Sequence, residues 1–243
     1  MPEAGEEVLV TTALVPPNQN PIADAGADQL IELLNPTGAA VTLNGMSSSD
    51  PDGDPLAFEW TDSGGAVVGR TATVGLTLSL GVHDFVLAVS DARGGRDTAE
   101  CRVIVRDTRP PEILTLSVDP GVLWPPNHKM VPVTVSWSAE DLVDENPTLE
   151  VVDVWSSEPT DTEGDGTTEP DWEIRDDGSI LLRAERSGKG SGRRYLVGVR
   201  FVDASNNATE AYLTVLVPHD KNEGVTDDET ESVPDDKTKK KKK

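Results

Sequence analysis

Ser48-Ser49-Asp50-Pro51-Asp52-Gly53-Asp54-Pro55-Leu56 is the stretch whose reading decides the fold. Three carboxylates stand at alternate positions, with proline and glycine between them. Aspartate bonds the backbone just ahead of it, proline presets φ, and glycine accepts a positive φ, so each favours a turn. The stretch is a loop, and the runs beside it alternate. Residues 41–44 read Val-Thr-Leu-Asn. In residues 56–61, Leu56, Phe58 and Trp60 share one face while Ala57, Glu59 and Thr61 share the other. A period of two marks a half-buried strand.

The pattern recurs along the chain. Residues 73–80, 83–90 and 99–106 read as strands, and in the last Cys101, Val103 and Val105 alternate with Glu100, Arg102 and Arg106. Further on, Val131, Val133, Val135 and Trp137 share a face, with Trp60 and Trp137 expected in the cores. Residues 149–154, 180–184 and 194–202 follow, the last with Tyr195, Val197, Val199 and Phe201 facing inward. Ala211, Leu213, Val215 and Val217 form the inward face of the final strand. No stretch sustains a 3.6-residue period. Many short strands between turn signals predict an all-β chain of two tandem β-sandwiches with a disordered charged tail.

The length of 243 residues fits two domains at roughly 100–150 residues each. The expected divisions are a flexible segment 1–17, a sandwich 18–107, a proline-rich linker 108–112, a sandwich 113–218, and a tail 219–243. Pro110 and Pro111 stiffen the linker, which predicts domains held end to end. Residues 161–171 read as a surface loop and 188–192 as a flexible hairpin loop.

Composition narrows function. There are 44 acidic against 21 basic residues, a net charge of −23, which opposes binding to nucleic acid phosphates. No run of 18 apolar residues predicts a membrane-spanning helix. Cys101 is the single cysteine, so no intrachain disulfide can form. His83, His128 and His219 lack zinc-ligand spacing, and His128 reads as a turn residue held by a backbone bond. The acidic opening Met1-Pro2-Glu3 is no signal peptide, so the expectation is a fragment of a longer exported protein.

The acids are also patterned. Asp91-Ala92-Arg93-Gly94-Gly95 precedes the last strand of the first half, and Asp203-Ala204-Ser205-Asn206-Asn207 precedes that of the second. Asp50, Asp52 and Asp54 have a counterpart in Asp141, Asp144 and Asn146. Acid clusters in the same two loops of each half suit a hard divalent cation, which takes six to eight oxygens. Ca²⁺ is therefore expected on Asp50, Asp52, Asp54 and Asp91, with Asp24 in reach, and on Asp141, Asp144, Asn146, Asp203 and Asn206. Asp107 and Glu112, at the junction, would hold a shared ion. The plain alternative is that Asp, Asn and Gly form turns well. An EF-hand is excluded, because Thr61 stands where its bidentate acid would be and no helices flank the loop.

These residues also carry a resemblance. Asn20-Pro21-Ile22-Ala23-Asp24-Ala25-Gly26, then Leu43-Asn44-Gly45 with the Asp50 loop, Trp60, and Val89-Ser90-Asp91-Ala92-Arg93-Gly94-Gly95 resemble a polycystic-kidney-disease-type (PKD) domain over 18–107. The turn after Trp60 departs from the family's Trp-Asp-Phe-Gly-Asp-Gly and reads Thr61-Asp62-Ser63-Gly64-Gly65. The resemblance implies an immunoglobulin-like sandwich in secreted or surface proteins. Residues 112–218 are similar to a bacterial surface module, on Leu123-Trp124-Pro125-Pro126-Asn127-His128-Lys129-Met130 and Val217-Pro218-His219-Asp220. That likeness implies an immunoglobulin-like fold and no established activity.

The reading is a non-enzymatic, calcium-stabilised spacer or adhesion module of a bacterial extracellular or cell-surface protein. Its partners would be other modules of a larger surface protein, or extracellular polysaccharide or protein. Trp124, Trp155 and Trp172 lie near Pro- and acid-rich segments and raise the alternative of a carbohydrate-binding accessory module, against ordinary core burial. A cryptic hydrolase is the second alternative, because carboxylate pairs at catalytic separation arise by chance in so acidic a chain. Arg183, Arg186, Arg193 and Arg194 either receive an anionic partner or neutralise acids of their own domain. The lysine run 239–243 either meets an anionic surface or simply solvates the end.

Overall fold

The computed structural model describes residues 16–159, 169–189 and 191–220. The expectations for the segment 1–15, for most of the loop 161–171 and for the tail beyond 220 lie outside the described residues. All regular structure among the described residues is strand, in two compact units that meet between Arg109 and Pro110.

The first unit holds β1 (Gln29–Glu32), β2 (Ala39–Asn44), β3 (Ala57–Asp62), β4 (Val67–Gly69), β5 (Thr73–Leu78), β6 (Gly81–Ser90) and β7 (Arg96–Arg106). One sheet runs β1-β7-β6-β3-β4, and β2 pairs with β5 in a second layer. Alternation sets the faces: Ala39, Val41 and Leu43 are buried while Ala40, Thr42 and Asn44 are exposed. Phe85, Leu87 and Val89 of β6 and Cys101, Val103 and Val105 of β7 complete the core. Burial raises the Cys101 thiol pKa above its ordinary value, as for an inert core thiol.

Trp60 is fully buried, and its indole N–H donates to the Thr71 carbonyl at 3.2 Å. Its ring runs against Gly45, just past β2, where a Cβ would lie 3.3 Å from the ring. The residue thus joins the two layers and satisfies its own polar atom.

The second unit holds β8 (Glu112–Asp119), β9 (Met130–Glu140), β10 (Thr148–Ser156), β11 (Trp172–Ile174), β12 (Ile180–Arg183), β13 (Gly192–Val202) and β14 (Ala208–Pro218). Sheets β10-β13-β14 and β11-β12-β9-β8 enclose Leu123, Val133, Ile180, Leu182, Tyr195, Val197, Phe201 and Val215. Trp137 departs from its expected full burial. It is 38 % exposed and meets Phe201 edge-on, with centroids 5.4 Å apart, so only part of the ring enters the core. Strands β1, β4, β8 and β11 were not anticipated.

Truncating the residue that joins the layers should weaken the first unit most. Trp60→Ala is expected to cost about 3–5 kcal/mol, read as a lower denaturant midpoint for the first unit with the second unit's transition unmoved.

Candidate cation pocket and a buried ionic cluster

Aspartates at the turns between strands share one geometry. Asp91 Oδ1 accepts the backbone N–H groups of Arg93 (2.7 Å) and Gly95 (2.8 Å), and Gly94 takes φ 98°. Asp203 Oδ1 accepts Asn207 N–H at 2.8 Å, and Asn206 takes φ 67°. Asp62 Oδ1 accepts Gly64 and Ala66, each at 2.9 Å, which builds the turn where the chain departs from the PKD pattern. Asp50 Oδ1 accepts Asp52 (2.8 Å) and Asp54 (3.2 Å). Each carboxylate closes its turn with one oxygen.

The second oxygens separate the loops. Carboxylate oxygens of Asp50, Asp54 and Asp91 lie within 4.8 Å of one another. Asp91 Oδ2 accepts from Asn18 Nδ2 at 2.8 Å. Asp50 Oδ2, Asp54 Oδ2 and Asn18 Oδ1 are buried and accept no hydrogen bond. A Cβ at Gly95 would overlap Asp91 Oδ2 and lie 3.1 Å from Asn18 Nδ2, so glycine alone lets the backbone approach here. Asp52 turns aside: its two oxygens take Gln19 N–H and Nε2–H, both at 2.8 Å. Asp24 Oδ1 caps Gly26 N–H at 2.8 Å. Arg93 Nη1 stands 3.6 Å from Asp54 and 3.8 Å from Asp52, one cation facing several acids.

In the second unit, oxygens of Asp141 and Asp203 lie within 4.8 Å. Asp141 Oδ1 accepts Val143 (2.8 Å) and Asp144 (2.9 Å), while Asp144 accepts Asn146 N–H (3.0 Å) with one oxygen and Ala204 N–H (2.9 Å) with the other. Asn206 serves there as a left-handed turn residue. Asp107, in the first unit, accepts Arg109 N–H at 3.1 Å, and Glu112 opens β8.

A second charged cluster is sealed in the second unit. Arg193, on β13, is 1 % exposed and lies 2.6 Å from Asp171, 3.3 Å from Glu158 and 3.9 Å from Glu185. Asp171 is 1 % exposed and Glu185 fully buried. Arg193 Nη1 also donates to the Tyr195 hydroxyl at 3.1 Å, which in turn donates to the Arg183 carbonyl at 3.0 Å. Arg183 donates to the carbonyls of Pro170 and His128, and Arg186 to those of Pro218 and His219. His128, at φ 61°, donates its N–H to the Ala184 carbonyl (2.9 Å) and sets Nδ1 3.0 Å from Glu185.

The arginines Arg183, Arg186 and Arg193 therefore serve their own domain. Arg193 could have been found in the sequence, because it stands in phase with inward-facing Tyr195, Val197, Val199 and Phe201.

The environments shift acidities in opposite directions. Asp91 is held below the ordinary carboxylate value by its Asn18 hydrogen bond and by backbone N–H groups, against burial. Asp52 is lowered by Gln19 and Asp97 by Ala23 N–H. Burial and neighbouring Glu185 raise Asp171 more than Arg193 pulls it down. Burial pushes Tyr195 up to about 12. For Arg193 burial disfavours the charge, yet Tyr195, Asp171 and Glu158 outweigh it, and its acidity falls below that of ordinary arginine.

The tryptophans divide. Trp124 is 41 % and Trp155 50 % exposed, whereas Trp172 is partly buried against the core.

The decisive comparison concerns the first unit. Residues 18–104 match the family model of the bacterial Ig domain. That unit is Ig-like. No curated protein matches the chain. Among solved structures, a nucleoside hydrolase-related protein from Saccharophagus degradans is 20 % identical, with TM-score 0.31, over 37 % of this chain and 26 % of its own length. The chain thus spans about a quarter of that protein. The PKD domain from the KIAA 1837 protein is 26 % identical over 40 % of this chain and 96 % of that one, with TM-score 0.31. Human protocadherin-24 EC1-2 is 18 % identical over 82 % and 97 %, with TM-score 0.35.

Two outcomes follow. A carboxyl with a lowered folded value contributes stability above the ordinary value of 3.8 and loses it as pH falls through the folded value. Melting of the first unit should therefore drop below about pH 4, and Asp91→Asn should flatten that drop. Arg193→Met, which leaves Asp171 and Glu185 buried without their cation, should cost about 3–5 kcal/mol in urea unfolding of the second unit. The exposed Arg102→Met, opposite Asp84, should leave unfolding nearly unmoved.

Proposed function

We propose that this chain is a non-catalytic spacer or adhesion module of a larger bacterial surface or secreted protein, its first unit trimmed by Ca²⁺ at Asp50, Asp54 and Asp91. The observation that carries the calcium reading is the set of buried oxygens that accept no hydrogen bond, Asp50 Oδ2, Asp54 Oδ2 and Asn18 Oδ1, beside Asp50 Oδ1 and Asp91 Oδ1, which already accept backbone N–H groups. Oxygen-only donors suit a hard cation. Asp50, Asp54, Asp91 and Asn18 would hold it, and the ion would supply positive charge that ties the segment before β1 to two loops.

The mechanical rather than catalytic role is supported by where the largest shifts lie. Arg193 and Tyr195 carry them, and both side chains are buried in the second unit. An Ig-like first unit and an acidic surface suit extracellular work beside other modules.

Calcium titration tests the reading. With a Kd of about 10⁻⁴ M, as extracellular modules show, 1 mM Ca²⁺ adds about 1.4 kcal/mol and raises the first unit's melting temperature by roughly 6–11 °C. Asp50→Asn with Asp54→Asn should abolish the rise. An unchanged melting temperature at 10 mM Ca²⁺ in the unaltered protein would leave Arg93 as the pocket's only cation and sink the calcium assignment.

A further inference from the structure

The outward face of β10-β13-β14 carries a platform independent of the acidic pocket. Strand register fixes its rows. Asp153 pairs with Gly198, which pairs with Tyr212; Trp155 pairs with Leu196, which pairs with Thr214. The inward positions of β13 are Tyr195, Val197, Val199 and Phe201, all buried, so Leu196 and Gly198 face the other way. A bulge at Val152 restores this phase on β10, placing Asp153 and Trp155 on the outer side.

The middle of the platform is Gly198, itself buried beneath its neighbours' side chains. Gly198 has no side chain, and a Cβ there would overlap Asp153 Oδ1 and come 3.3 Å from Tyr212 Cε1. A carboxylate and an aromatic ring edge thus converge over bare backbone. The Asp153 carboxylate has no hydrogen bond or ion pair among the described residues. Trp155 is 50 % and Tyr212 47 % exposed. They stand two strands and two residues apart, roughly 12 Å between Cα atoms, further than a single sugar ring reaches.

We infer that this face binds a neutral polysaccharide, with pyranose rings stacked on Trp155 and Tyr212 and ring hydroxyls donating to Asp153 over Gly198. Aromatic faces and a polar acceptor between them match a ring that is apolar on its faces and hydroxylated at its rim. A chain of net charge −23 repels polyanions. The apolar groups are interrupted by Asp153, Gly198 and Thr214, whereas a protein hot spot needs a contiguous desolvated centre. The inference does not rest on the calcium reading.

The test is retention of the full chain on cellulose, chitin, xylan, mannan, starch and mixed-linkage β-glucan, with and without 5 mM EDTA. At least one should retain it, and Trp155→Ala or Tyr212→Ala should each weaken retention about tenfold, with the melting temperature unchanged. Gly198→Ala, whose Cβ displaces the Asp153 carboxylate but keeps both rings, should weaken it similarly. Retention on none of these polymers, or equal retention of the Trp155→Ala/Tyr212→Ala double variant, overturns the inference. So does a result in which the double variant changes only self-association in sedimentation, because the face would then join copies of this chain.

Discussion

The fold depends on aspartate oxygens accepting backbone N–H groups at the turns between strands. Asp50, Asp62, Asp91 and Asp203 each close a turn by taking an N–H four residues on, and the first three also take one two residues on. Sandwich strands contribute area, but each must reverse within a few residues without stranding donors. A short carboxylate solves this locally and leaves charge at the surface. Part of the acidity of the chain is thus a consequence of turn construction. The Asp50 turn uses only one oxygen, and the other is left over near Asp54 Oδ2, which also accepts no hydrogen bond.

The second unit solves a different problem. Arg193 faces inward at a position where period two demands an apolar residue, and Asp171 and Glu185 answer it from separate elements. Such a cluster contributes little net stability but penalises any packing that omits a partner. It ties β11, β12 and β13 together through Tyr195 and the Arg183 carbonyl.

Strands with sustained alternation were legible in the sequence: β2, β3, β6, β7, β13 and β14 declare their faces directly. The β1 run Gln29–Glu32 is four residues long, too short for a period to register, and owes its place to pairing with β7. β4 and β11 have three residues each. In β8 a register shift between Ile113 and Thr115 interrupts the alternation. The Asp91 and Asp203 repeat was visible, and its turn geometry is shared by both units. That Asp52 turns away and Asn18 joins was not, because it depends on how residues 18 and 19 lie across two distant loops. Asp171 and Glu185 carry no local pattern that marks them as buried.

The parallel pairing of β1 with β7, Gln29 with Val103 through Glu32 with Arg106, has a bearing on tension. A pull applied at residue 29 and residue 106 would drag these neighbours lengthwise past one another. Their rungs would then be strained together rather than opened one after another like a zip. A module linking two anchored objects would yield abruptly, at a high threshold, instead of unravelling gradually from one end.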